Sequence, residues 1–120
     1  MKTEVEVISI NGMEYVKKSD VVVKELDNDY FIVRTYSAGV FAGEIVERNG
    51  KEVLMKNARR IWYWDGAASL SQLSIDGTSK PENCQFPEEM AEVTLTEVIE
   101  IIKCTKKARA SIAGVKIWKK

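Results

Sequence analysis

Arginine, aromatic and amide side chains crowd one short stretch of this chain, and together they have the chemistry to hold a phosphate and a flat ring. Between Asn57 and Gln72 stand two adjacent arginines, Arg59 and Arg60, then Trp62, Tyr63 and Trp64, followed by Ser69, Ser71 and Gln72. A guanidinium fork pairs bidentately with a phosphate, and an indole face stacks on a purine. Folding makes competing use of the same residues, since Trp and Tyr fill a small core while an arginine stem packs over them. Core filling is the expected use of Trp62 and Tyr63. For Arg59, Arg60 and Trp64 both uses stay open. Strand alternation puts only one of the two arginines on a given face, so one functional and one structural arginine are expected.

A second set of candidates comes from the distribution of charge. Eighteen basic residues balance eighteen acidic ones, so bulk charge points to neither a nucleic-acid polymer nor an anionic membrane. Residues 82–100 nevertheless carry six glutamates and no base, and residues 103–120 carry six lysines and Arg109 with no acid. Solvated faces account for most of these. Arg109 differs, because a lone guanidinium among lysines suits a specific carboxylate or phosphate; Lys106 precedes it in the same run. A glutamate of segment 92–100 is its internal alternative. Asn83 and Phe86 fall in a long polar segment, residues 76–90, of the kind that often carries function. There Phe86 either meets a ligand or partner chain, or tucks down as a loop anchor.

The chain has no histidine, which removes Ser-His-Asp and Cys-His catalysis and His-ligated zinc. Cys84 and Cys104 are too few for a four-thiolate site and are expected as reduced, partly buried thiols. No glycine-rich phosphate loop of the dinucleotide or P-loop type is present. Glu88, Glu89, Glu97 and Glu100 are available carboxylates, but nothing sets one of them in the apolar pocket that acid–base work requires. The expectation is a binding protein rather than an enzyme, with no cofactor and no metal. With 45% hydrophobic and 30% charged residues the balance is globular, and no apolar run approaches the roughly 18 residues of a membrane span. The N-terminus lacks a secretory apolar region. One cytoplasmic domain over residues 1–120 is expected.

The elements that would position these side chains read as α+β, an antiparallel, hairpin-rich sheet with one short middle helix and a C-terminal helix. Thr3–Ile10 alternates for much of its length and leads through Asn11-Gly12 into Met13–Val16, and Glu44–Arg48 leads through Asn49-Gly50 into Lys51–Lys56; Asn-Gly is the signature of a type I′ hairpin turn. Ser19–Lys24 and Tyr30–Tyr36 are β-branched or aromatic strand runs. Gly39 and Gly43 suggest a bulge or a close backbone approach. Asn57–Trp64 continues the sheet, Ala67–Leu73 reads as the short helix with Gly77 as its stop, and Glu92–Cys104 returns to β, with Val98, Ile99, Ile101 and Ile102 expected in a largely buried strand. Thr105 is placed to cap a helix over Lys106–Ala113 that Gly114 ends.

Several runs carry a resemblance to a known family: Asn57 through Leu73 (NARRIWYWDGAASLSQL), Tyr36 through Gly43 (YSAGVFAG), Leu95 through Ile101 (LTEVIEI), Lys80-Pro81, and the Cys104-to-Trp118 end. Over roughly residues 30–118 the chain resembles the first type of phage Thoeris anti-defence sponge. The resemblance implies a protein of the infected bacterial cytoplasm that binds glycocyclic ADP-ribose, the signal of a TIR-domain defence enzyme, and sequesters it undegraded. It implies a homo-oligomer, a dimer or trimer of dimers, with possible cyclic oligonucleotide sites apart from the first. The family's pocket uses arginine, aromatic and amide side chains partly from a mobile loop, which here map to Arg109, Phe86, Asn83 and Arg59 or Arg60. The competing expectation is a small virion or assembly protein whose aromatics face another subunit.

Overall fold

The computed structural model describes residues 8–10, 13–15 and 29–120. Strands β1 (Ile8–Ile10) and β2 (Met13–Tyr15) pair antiparallel, with Ile8 opposite Tyr15 and Ile10 opposite Met13. The turn expected at Asn11-Gly12 and the strand expected over Ser19–Lys24 lie outside the described residues. The main sheet holds β3 (Phe31–Thr35), β4 (Val40–Asn49), β5 (Glu52–Arg60), β6 (Met90–Leu95) and β7 (Val98–Lys103) in the order β6-β5-β4-β3-β7. Every pairing is antiparallel. Helix α1 (Leu70–Asp76) and helix α2 (Lys106–Ala113) complete an α+β fold with the one middle and one C-terminal helix that the sequence pattern predicts.

Period-2 alternation sends neighbouring side chains to opposite faces, and here both faces are buried. Ile32 and Ala42 join Tyr30, Ile61, Leu73, Phe86, Ala108 and Ile112 under the helices. Val33 and Phe41, one residue away on each strand, join Val53, Met55, Ala58, Leu95 and Val98 on the other side. On that second side the sheet curls towards its own edges. The Val98 amide donates to the Lys51 carbonyl at 3.0 Å and the Tyr36 amide to the Glu97 carbonyl at 2.9 Å, so the start of β7 meets both the β4–β5 turn and the end of β3. The β run expected over Glu92–Cys104 is thus two strands, bent apart at Thr96-Glu97 and sent to opposite sheet edges, and β7 is less buried than expected, since an edge strand leaves Ile99 exposed.

Local chemistry explains the other boundaries. Ser69 caps α1 through its hydroxyl, which accepts from the Gln72 amide at 3.2 Å, so the helix begins three residues after Ala67, where the sequence reading starts it. Thr105 caps α2 as expected, accepting from the Ala108 amide at 3.0 Å, and its hydroxyl also donates to the Ile75 carbonyl at 2.7 Å, which ties the two helices. At the β4–β5 hairpin Asn49 still pairs with Glu52, so the two turn residues are Gly50 and Lys51, and only Gly50 has a positive φ (65°). That is the glycine-first pattern of a II′ turn rather than the expected I′.

Gly43 answers to both explanations offered for it. The β4–β5 register shifts between Ala42 and Glu44, and again between Ile45 and Glu47, while a Cβ on Gly43 would stand 2.7 Å from the Ala58 Cα. Gly43→Ala is expected to destabilise the domain by about 1–3 kcal/mol, the usual cost of forcing an extra methyl into packed structure. A fall in the urea midpoint at unchanged slope would register it.

Candidate functional site

Along β5 the side chains alternate, and the two arginines take different faces. Arg59 is 3% exposed. Its Nε donates to the Pro87 carbonyl at 3.0 Å and its Nη2 to that of Phe86 at 2.6 Å; its Nη1 reaches the carbonyls of Val115 (2.8 Å), Ile112 (3.2 Å) and Ala113 (3.5 Å). The guanidinium also lies 5.4 Å from the ring centroid of Phe86, itself fully buried. Burial pulls the Arg59 pKa down, and Tyr30 and Glu89 partly oppose that shift. Arg59 and Phe86, both candidates for ligand contact, are therefore joined to each other inside the fold. Arg59 is the expected structural arginine, and Phe86 is the anchor of its loop.

Asn83 and Trp64 each bond to the turn that follows β5. The Asn83 amide donates to Asp65 Oδ2 at 2.9 Å, the Gly66 amide to Asp65 Oδ1 at 2.8 Å, and the indole of Trp64 to the Ala67 carbonyl at 3.2 Å. Thr78 donates to the Asp65 carbonyl at 2.5 Å and the Cys84 thiol contacts the same oxygen at 3.5 Å. Gly66 has φ of 82°, and a Cβ there would strike the backbone of Ser79 and Lys80. Segment 78–84 is thus bonded back onto 65–67, with a 3-10 turn at Pro81–Asn83 inside it. The Asn83 amide first, then the Gly66 N–H, hold the Asp65 carboxyl below the usual carboxylate range.

Arg109 stands on α2, where its Nη2 donates to Glu44 Oε2 at 3.0 Å and its guanidinium lies 5.3 Å from the Tyr30 ring centroid. Its carboxylate partner is thus on β4 and not in segment 92–100. Glu44 lines a groove of about 630 Å³ with Asp29, Phe31, Ile45, Val46, Lys56 and Asn57. β4 bulges twice beside the groove, and bulges re-aim the side chains around them. Asn57, opposite, adopts φ of 51°, a left-handed conformation that asparagine tolerates better than most residues. Beneath, the Tyr30 hydroxyl is buried without a partner, and burial first, then Glu89, raises its pKa well above the ordinary value. Lys106, at the start of α2, is exposed.

Arg60 is half-buried and stacks on Phe41, its register partner, at 4.6 Å to the ring centroid. Beyond it β5 ends. Trp62 and Tyr63 are 65% and 52% exposed, so they do not fill the core as expected; both amides point at the Gln85 carbonyl. Ending the strand at Arg60 frees these two rings from the alternation that would have buried one of them. The structure therefore brings Arg59 to Phe86 and Trp64 towards Asn83, and leaves Arg109 and Arg60 in separate surroundings. Sequence reasoning missed Tyr30, Glu44 and Asn57. Only the paired glycines at 39 and 43 marked the irregular backbone beside them.

Among the described residues no three His, Cys, Asp or Glu side chains are grouped to hold a metal, and no helix is long and apolar enough to cross a membrane. The fold and site define a small α+β domain, a curled five-stranded sheet with a mixed-charge groove where β4 bulges. The chain belongs to the family described as a domain of unknown function, DUF6948, which it matches over residues 28–112, from just before β3 into the last turn of α2. No curated protein and no solved structure matches it.

Two outcomes follow from these contacts. Arg59→Gln is expected to lose about 3 kcal/mol or more, because the charge-assisted network that joins segments 86–87 and 112–115 to β5 is broken, and Arg59→Lys should not rescue it, lacking the planar fork; chemical denaturation measures both. The depressed Asp65 pKa means that its links stabilise the fold at pH above the ordinary carboxylate value and are lost as acidification passes the lowered one. Asn83→Ala should raise the Asp65 pKa toward the ordinary value, read by carboxyl-carbon NMR titration.

Proposed function

We propose that this protein binds a cyclic ADP-ribose-type signal, glycocyclic ADP-ribose, and holds it without degrading it, in the cytoplasm of an infected bacterium, so that the Thoeris effector is not activated. The observation that carries this reading is Arg109, whose guanidinium is held in place by the Tyr30 ring and by Glu44, a residue that lines the groove. A fixed guanidinium loses less freedom on meeting a phosphate than a mobile one, which favours tight binding. Silencing a signal requires it, since a nanomolar dissociation constant corresponds to about −12 kcal/mol. The sequence resemblance supports the same reading. With Arg59 and Phe86 committed to the core, the residues kept for ligand contact are Arg109, Lys106, Arg60, Trp64 and Asn83.

A second reading, an assembly protein of the phage particle, is favoured by the exposure of Trp62, Tyr63 and Ile117, large apolar side chains of the kind that interfaces cover. The oligomer and the separate cyclic oligonucleotide sites implied by the resemblance belong to the first reading.

Lysate from cells with an activated TIR defence enzyme separates the two. Incubation with the protein should abolish effector activation, and heating the recovered protein should restore it, with the released ligand unchanged by mass spectrometry. Activity lost and not recovered would indicate turnover; no loss, with abundant copies in purified particles, would favour assembly. Arg109→Ala should weaken capture at least about tenfold, as expected for losing a charge-assisted pair, while leaving the fold intact.

A further inference from the structure

Past Arg60 the chain builds a second, smaller ladder. Tyr63 pairs antiparallel with Gln85, and Phe86 pairs parallel with Ile117, so three stretches lie side by side with residues 117–118 outermost. A parallel pair of this kind bonds in one of two ways. Either Ile117 turns its own N–H and C=O towards the neighbour, which needs a donor from Pro87, or the residues flanking Ile117 make the bonds. Proline has no N–H, and the Trp118 amide donates to the Phe86 carbonyl at 3.0 Å, so the flanking residues make them. The N–H and C=O of Ile117 therefore point to the open side, where neither has a partner among the described residues, and the residue is 49% exposed. This edge is held in place from within. Arg59 takes the Val115 carbonyl at 2.8 Å on one side of it, and the Trp118 bond fixes the other. A fixed edge loses little freedom when another strand joins it.

Charge decides what could join it. Lys116, Lys119 and Lys120 are exposed, and no acid falls within residues 103–120. With Ile117 and Trp118, Lys116 and Lys119 line a groove of about 470 Å³ whose one acid is Glu82. Lys119 lies 3.8 Å from Glu88, but both are well exposed, and such a pair is readily exchanged for another. Lysines on an edge repel a second copy of the same basic stretch, a means by which sheets avoid pairing with themselves, and leave an acidic strand as the fitting occupant. We infer that the backbone edge at Ile117 takes an extended segment of a partner protein, one that alternates acidic and apolar residues, as an added strand. Backbone hydrogen bonds supply the pairing, the lysines select the charge, and Ile117 and Trp118 meet the apolar side chains. This surface depends neither on the nucleotide capture proposed for Arg109 nor on a place in the phage particle.

Proton–nitrogen NMR of the full chain tests it with two synthetic peptides of about six residues, the usual strand length, one alternating glutamate with valine and the other lysine with valine. The glutamate peptide should shift the Ile117 amide saturably and slow its hydrogen exchange at least about tenfold, as for an amide drawn into a ladder. The lysine peptide should do neither. Ile117→Pro removes the donor at a position where it bonds nothing in the fold, and should abolish the response. Should that variant not fold, Lys116→Glu combined with Lys119→Glu should reverse the preference between the peptides. No saturable shift with the glutamate peptide, an equal response to both, or a response kept by folded Ile117→Pro would overturn the assignment. So would an Ile117 amide already slow to exchange in the free chain, with protection that falls on dilution showing a second copy on the edge. Arg109→Ala should leave the peptide response intact, so peptide binding and nucleotide capture fail separately.

Discussion

One charged side chain inside the core sets the terms for the rest of this fold. Arg59 gathers the carbonyls of Phe86 and Pro87, of Ile112 and Ala113, and of Val115, and each of these belongs to a segment that leaves regular structure at that point. The last carbonyls of a helix have no partner within it, and they form the negative end of its dipole. Helix α2 has no basic residue in its own last turn, so the compensating charge comes from β5 instead. The same guanidinium therefore docks the helix, seats the loop around Phe86 and closes the helix-covered core. A hydrophobic replacement would fill the space without joining these carbonyls to β5.

The irregular backbone around the groove has a related origin. Strand β4 serves two partners, β3 along its first half and β5 along most of its length, and a ten-residue strand that borders both parts of a curled sheet must bend. Two register shifts supply the bend, Gly43 permits the close passage of Ala58, and Asn57 absorbs the mismatch on β5. Glu44 is turned by these adjustments to face α2, where Arg109 meets it. Charge pairing across the groove is thus a product of sheet curvature.

Local signals in the sequence carried much of this architecture. The Thr105 cap, the β4–β5 hairpin and the strand around Tyr30–Tyr36 each rest on chemistry within a few residues, and each forms, the hairpin with its turn one residue later than read and of type II′. What escaped depends on residues far apart. Polar residues recur at Thr94, Thr96, Glu97 and Glu100 between Val93 and Ile102, so the pair Thr96-Glu97 does not stand out as a crossing between sheet edges; it is the contacts with Lys51 and Tyr36 that mark it. Arg59 and Arg60 are the same residue type at adjacent positions, so alternation could predict that they differ but not which one meets carbonyls arriving from more than twenty-five residues away. Trp62 and Tyr63 look like core residues by type; their exposure follows from where the strand stops.

The long reach of these contacts has a consequence for the order in which the chain folds. Pairing of β3 with β7 joins residues 66 apart, as in Arg34 with Glu100, and the carbonyls that Arg59 needs from the C-terminal segment lie 53–56 positions away. Contacts of such separation form slowly, because chain entropy is lost before they reward it. Arg59 cannot leave water until they arrive, since a guanidinium stripped of solvent without acceptors is strongly disfavoured. Hairpin β4–β5 rests on local contacts and can pair around a still-hydrated Arg59, whereas helices of seven and eight residues need the packed core, and with it a dried Arg59, to hold them.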